Sequence, residues 1–94
     1  MITIVEKRVF KDAENFPKYA QELAAQQIEV LKASATLNDV PNIRPMKGTA
    51  EPYYRLRFGE YRFMLYYDKE TETIKVLSLK HRKDAYKKQH LPWR

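Results

Sequence analysis

The chain has 94 residues, of which 18 are Lys or Arg and 12 are Asp or Glu, so its formal charge is +6. This length supports one domain over residues 1–94, and the apolar share of 44% is typical of a folded protein. The absence of Cys excludes disulfides and thiolate metal sites, and no apolar run approaches the roughly 20 residues that span a bilayer. We therefore expect a cytoplasmic protein with no cofactor, no metal and no membrane contact.

The first half of the chain predicts a strand and then a helix. β-Branched residues open the sequence and indicate a strand over residues 2–9, and residues 11–16 indicate a short helical turn. Pro17 suits the first position of a helix, and apolar residues then recur every three or four positions as far as Ala35. This pattern predicts an amphipathic helix of about 16–18 residues.

The second half of the chain predicts a loop and three strands. Residues 42–52 show no period and indicate a connecting loop. Alternation favours strands over residues 53–58 and 61–67, joined by a two-residue turn at Gly59 and Glu60, and a third strand over residues 74–79. The elements together predict an α+β fold with an antiparallel-rich sheet of about four strands.

The two-residue turn fixes which residues of the hairpin lie opposite each other. Arg57 then faces Arg62, and Arg55 faces Met64, so all three arginines share one face of the sheet. Like charges placed opposite each other destabilise a sheet, whereas a guanidinium fork suits a phosphate. We favour an anion site over an exposed face whose arginines pair with nearby acids.

The basic charge belongs to the second half of the chain. Residues 1–43 hold five bases and six acids, a net charge of −1, and residues 44–94 hold thirteen bases and six acids, a net charge of +7. A one-sided basic charge indicates a polyanionic or acidic partner.

The third strand can bring further bases to the arginines in two ways. With one loop length Lys75 and His81 share their face, and with the next length Lys80 and Arg82 do. The histidine side chain has a reference pKa near 6.5 in model peptides, so His81 is suited by type to proton transfer, although a lone histidine is more often structural. The sequence allows two alternatives for residues 87–94, a mobile basic arm or a tail anchored to the core.

Three motifs in order resemble one known family. They are Met46-Lys47-Gly48, the stretch YRLRFGEYR at residues 54–62, and LKHRKDAY at residues 79–86. Together they resemble the RelE/ParE toxin superfamily of bacterial toxin–antitoxin systems. The resemblance implies one or more N-terminal helices packed on one side of the sheet, with a basic concave face on the other.

The resemblance also implies a function and partners. RelE-like members cut mRNA in the ribosomal A site, using the ribose 2′-OH as nucleophile and no metal, and they form hetero-oligomers with a cognate antitoxin. The alternatives are a ParE-like inhibitor of DNA gyrase without nuclease activity and an RNA-binding module without activity. We expect an mRNA endonuclease that inhibits translation.

The family motifs assign the site residues by position. Some RelE-like nucleases have lysines where this chain has Arg55 and Arg57. Because arginine does not release its proton, it cannot act as a base. Proton transfer in the reaction therefore has to come from His81 or Tyr86. The expected catalytic residues are Arg62, His81, Arg82 and Tyr86. The expected phosphate-binding residues are Lys47, Arg55, Arg57, Lys80 and Lys83.

Overall fold

The computed structural model describes residues 1–46 and 52–83. Within them, two helices pack on one face of a five-stranded mixed sheet, which confirms the α+β prediction. The elements are β1 (Ile2–Val5), α1 (Lys7–Glu14), α2 (Lys18–Ala33), β2 (Ile43–Pro45), β3 (Tyr53–Phe58), β4 (Tyr61–Asp68) and β5 (Thr73–His81).

The strands lie in the order β1-β5-β4-β3-β2, so the first and last of these five strands are neighbours at one edge of the sheet. β1 runs parallel to β5, and the other neighbouring strands are antiparallel. The predicted β3–β4 register is confirmed, with Arg57 opposite Arg62 and Arg55 opposite Met64.

The turn between β3 and β4 explains why this register is fixed. Gly59 has a φ of 60°, whereas Glu60 is not among the residues with positive φ. A positive φ at the first central position alone is the pattern of a type II′ turn, which matches the twist of the two strands.

The hydrophobic core lies between the helices and the sheet. α1 contributes Val9, and α2 contributes a stripe of small and aliphatic residues that includes Ala20 and Leu31. The sheet contributes alternate residues of β3, β4 and β5 to the same cluster, including Leu56, Phe63, Leu65, Val76 and Leu79. We call this side of the sheet the helix face.

The first strand is shorter than the prediction, and the first helix longer. β1 ends at Val5, because Glu6 is the N-cap of α1 and the chain turns into that helix at Lys7. Val9, predicted at the end of the strand, lies in α1 with 3% of its surface exposed. Burial against the sheet therefore outweighs its β propensity.

The predicted loop over residues 42–52 was wrong at β2, and the sheet accordingly has five strands rather than about four. Ile43 lies opposite Leu56 and Arg44 opposite Arg55, at the edge of the sheet. Pro45 is tolerated there because an edge strand leaves one row of N–H groups unpaired. Asn42, with a φ of 64°, directs the chain into this strand.

The predicted helix over residues 17–35 is observed as α2, with Pro17 directly before its first residue. No helix in residues 1–46 and 52–83 is long and apolar enough to cross a membrane.

Candidate nucleic-acid interface

Four arginines lie on the side of the sheet opposite the helices. Arg55 and Arg57 of β3 alternate with buried core residues, and Arg62 lies directly opposite Arg57. Arg44 of β2 lies opposite Arg55 and adds a fourth guanidinium, which sequence reasoning missed because β2 has no period of its own. We call these four residues the arginine face.

The outer part of the arginine face forms a small cleft. Asn42, Arg44, Arg55 and Arg57 line a volume of about 90 Å³ at the edge of the sheet. Guanidinium groups offer several fixed donors, so a site of this kind favours phosphate oxygens over neutral ligands.

Arg62 is the buried member of the arginine face. Only 6% of its surface is exposed, and its Nη1 donates to the carbonyl of Tyr61 at 3.1 Å. Its Nε is buried and has no hydrogen-bond partner among the described residues. A buried donor left unpaired costs roughly 1–3 kcal/mol, so this N–H is an unfilled position for an acceptor.

Lys80 lies opposite Arg62, but its charge is already neutralised. Its Nζ lies 3.1 Å from Oδ1 of Asp12 on α1, and both side chains are nearly buried. The other carboxylate oxygen of Asp12 accepts the N–H of Leu79 at 2.9 Å. α1 thus covers the part of β5 that extends beyond β1, and the ion pair between Lys80 and Asp12 helps to hold α1 against this strand.

A bulge resolves the two alternatives for the third strand. Met64 lies opposite Ser78 and Leu65 opposite Val76, so Leu77 has no opposite residue on β4. Side chains alternate on either side of this irregularity, and Lys75 and Lys80 therefore both lie on the side of the arginine face. His81, opposite Tyr61, lies on the helix face.

Arg82 follows the end of β5 and pairs with the turn of the hairpin. Its Nε lies 2.6 Å from Oε2 of Glu60, and its backbone N–H donates to the carbonyl of Glu60 at 2.7 Å. Its side chain is half-exposed, so the ion pair with Glu60 is weak and leaves the guanidinium accessible.

His81 lies among aromatic rings rather than among the arginines. Its ring meets Tyr61 edge-on, with 5.5 Å between the ring centroids, and its Nδ1 accepts the backbone N–H of Lys83 at 3.2 Å. In the neutral form the proton therefore lies on Nε2. A hydrogen bond with Tyr19, together with burial, raises the pKa of Tyr61 and keeps that phenol neutral.

Two of the predicted site residues, Lys47 and Tyr86, lie outside the described residues, as does the tail over residues 87–94. Lys83 is described and is exposed. In the part of the chain that the structure describes, no group of three His, Asp or Glu residues could hold a metal ion.

The comparisons with known proteins agree with this geometry. No family model matches the chain, and no curated protein matches it. Among solved structures, the RelE of a Methanococcus jannaschii RelB–RelE antitoxin–toxin complex is 29% identical, with a TM-score of 0.72 over 88% of this chain and 94% of that one. The RelE of a Pyrococcus horikoshii RelE–RelB complex is 24% identical, with a TM-score of 0.68 over 86% and 93%. The isolated Escherichia coli RelE toxin is 16% identical, with a TM-score of 0.57 over 85% and 82%. The last two similarities, both under 25% identity, show the fold alone.

The fold of this chain is thus shared with RelE toxins. At 29% identity over 88% of the chain, the similarity to the M. jannaschii RelE supports grouping it with the RelE-like toxins.

Proposed function

We propose that this protein is the toxin of a type II toxin–antitoxin system and a ribosome-dependent mRNA endonuclease that acts in the cytoplasm. The observation that carries the proposal is the arginine face. Above all it is the buried Arg62, which lies directly opposite Arg57 and whose Nε has no hydrogen-bond partner in residues 1–46 and 52–83. In this cleavage the ribose 2′-OH gives up its proton and attacks the adjacent phosphorus without a metal. The bond from phosphorus to the 5′-oxygen of the next nucleotide breaks, and that oxygen takes up a proton. The products are a 2′,3′-cyclic phosphate and a 5′-OH, and the cut mRNA is no longer translated.

The arginines supply charge stabilisation in this proposal. Arg55 and Arg57 bind RNA phosphates at the surface, and Arg62 donates from within the sheet to the phosphate that gains negative charge in the transition state. Donors fixed before the reaction need no reorganisation when that charge develops. Arg82 adds a fourth accessible guanidinium, with Lys47 and Lys83 as peripheral phosphate contacts. Lys80, being paired with Asp12, adds no free charge.

Proton transfer needs a group other than arginine, because a guanidinium does not give up its proton in proteins. His81 and Tyr86 are the two proposed groups. His81 lies on the helix face in this structure, so it needs a turn at the end of β5 to reach a phosphate on the arginine face. The bond from Lys83 to Nδ1 is the contact that such a turn would break.

An antitoxin is the proposed protein partner. The similar RelE chains from M. jannaschii and P. horikoshii were solved in complexes with RelB. A basic face of four arginines favours an acidic partner segment that covers it, which would yield an inactive hetero-oligomer.

The proposal is tested by inducing the protein in growing cells and mapping mRNA ends by primer extension. We expect new 5′ ends within translated reading frames and intact chromosomal DNA. Double-strand DNA breaks with intact mRNA would instead indicate a gyrase inhibitor and would overturn the proposal.

The same experiment with variants tests the residue assignment. A variant with His81→Gln, Arg82→Gln and Tyr86→Phe should lose at least about 100-fold of the cleavage, the usual contribution of acid–base groups. The matched control carries Lys87→Gln, Lys88→Gln and His90→Gln in the same tail and should cleave as the wild type does. Equal cleavage by both variants would refute the assignment.

A further inference from the structure

We propose that a second subsite, next to the arginine face, binds an unstacked nucleobase of the same RNA. It is formed by Tyr53, Tyr66, Lys75, Leu77 and Ser78, which we call the tyrosine cleft. This inference rests on the proposed function and adds to it a base-binding position that the sequence motifs do not contain.

The tyrosine cleft is built from directly opposed residues of the sheet. Tyr53 lies opposite Tyr66, with 5.6 Å between the ring centroids and an angle of 75° between the rings. Lys75 lies opposite Tyr66 and places its Nζ 5.8 Å from the centre of that ring. Two aromatic rings and a cation are the groups on which unstacked bases rest in single-stranded RNA sites.

Two residues of the tyrosine cleft pack on a second apolar cluster. Met46 and Met64 are buried, with 5% and 1% of their surfaces exposed, and Tyr53 and Leu77 pack against them. Met64 lies opposite Arg55, so this cluster is on the side of the arginine face. Packing thus holds Tyr53 in place, and the rings of Tyr53 and Tyr66 offer flat surfaces that suit a base.

The charges around the tyrosine cleft favour a neutral ring over a phosphate. Glu6 and Asp68 line the cleft together with Arg8 and Lys75, so two acids balance two bases. By contrast, all four residues that define the arginine face are bases. The two sites are thus complementary, with the RNA backbone at the arginines and an uncharged base at the tyrosines.

The spacing of the two sites suits one RNA strand. Tyr66 follows Arg62 by four residues on β4, which at about 3.3 Å per residue separates them by roughly 13 Å. Tyr53 precedes Arg55 by two residues on β3, on the same face. A few nucleotides of extended single strand span this distance, so a phosphate at Arg62 places a neighbouring base at the cleft.

The dimensions of the tyrosine cleft distinguish a base from a protein segment. Its volume is about 460 Å³, within the range of small-ligand sites, which run from roughly 300 to 1,000 Å³. That volume accommodates one or two bases. A helix of a partner protein would need a longer groove than the eight lining residues provide, which are the five named above together with Glu6, Arg8 and Asp68.

The test is equilibrium binding of two oligonucleotides of equal length and charge, both 2′-O-methylated so that they cannot be cleaved. One carries normal bases and the other is abasic at every position. We expect the wild type to bind the normal oligonucleotide about tenfold more tightly. Equal affinity for the two would overturn the subsite, and this comparison needs no variant.

Variants then locate the effect and separate this inference from the proposed function. Tyr66→Leu should lose about tenfold in affinity for the normal oligonucleotide only, whereas Tyr66→Phe should bind as the wild type does. Arg55→Gln should weaken both oligonucleotides and lower the salt slope by about 0.7, the value for one phosphate contact on a single strand. A Tyr66→Leu variant that loses equally on both would overturn the subsite alone. Salt-independent binding, unchanged by Arg55→Gln, would overturn the proposed function as well.

Discussion

The opposed pair of Arg57 and Arg62 is the residue-scale feature that a stable fold does not need. Two like charges in one cross-strand pair repel each other, and Arg62 is buried with an unpaired Nε among the described residues. A Thr or an oppositely charged partner would stabilise the sheet more. Residues that lower the stability of the fold are typical of functional sites, where a ligand supplies the missing contact.

Replacing Arg57 by Thr should therefore make the protein more stable and less active. The substitution removes the exposed guanidinium of Arg57 and so relieves its repulsion with Arg62. Thr also has a higher propensity for strands. We expect the free energy of unfolding, measured by urea denaturation, to rise by about 0.5–1 kcal/mol. Lys11→Gln, which removes an exposed charge from α1, should change it by less than about 0.5 kcal/mol. A lower stability of the Arg57 variant would show that structural contacts hold this arginine.

The sequence predicts some residue positions well and others not at all. The grouping of Arg55, Arg57 and Arg62 follows from alternation once the turn length is known. The neutralisation of Lys80 depends on Asp12, which is 68 residues away in the chain, and no local pattern reports such a contact. The position of His81 was open for a similar reason, because the bulge at Leu77 changes the register beyond it.

At the scale of elements, the β3–β4 hairpin determines the geometry of the site. Its register was predictable because both strands alternate clearly and only two residues join them. β2 was not predicted because its three residues are too few to show an alternation of apolar and polar side chains. They form a strand because they pair with β3 at the edge of the sheet. β1 and α1 were misjudged around Val9, where burial against the sheet outweighs local propensity.

The hairpin turn gives an element-scale prediction. Gly59 has a φ of 60°, and a Cβ added there would meet no atom within 4 Å, so Gly59→Ala introduces conformational strain and no clash. We expect the free energy of unfolding to fall by about 1–2 kcal/mol, again measured in urea. The control Glu70→Ala, in the exposed turn after β4, should have little effect. An unchanged stability of the Gly59 variant would show that the turn does not constrain the hairpin.

At the scale of the whole molecule, the sheet separates the side that holds the main core from the side that we propose binds RNA. The helices and the main core occupy one face, and the other carries four arginines beside the tyrosine cleft. The net charge of +7 after residue 43 predicted that the second half binds an anion or an acidic partner. The sequence did not reveal that the basic region adjoins an aromatic region of balanced charge, since the tyrosines are brought together by pairing across strands.

The most direct test of the central claim is the rate at which the purified protein cleaves a defined mRNA on purified ribosomes. The variant Arg55→Gln/Arg57→Gln should be slower than the wild type by at least about 100-fold, because it loses two phosphate contacts and each hydrogen bond between charged groups contributes roughly 1.5–3 kcal/mol. The control Lys7→Gln/Lys11→Gln carries the same net charge and should cleave at the wild-type rate. If the two variants cleave equally fast, the arginine face is not the site of RNA cleavage.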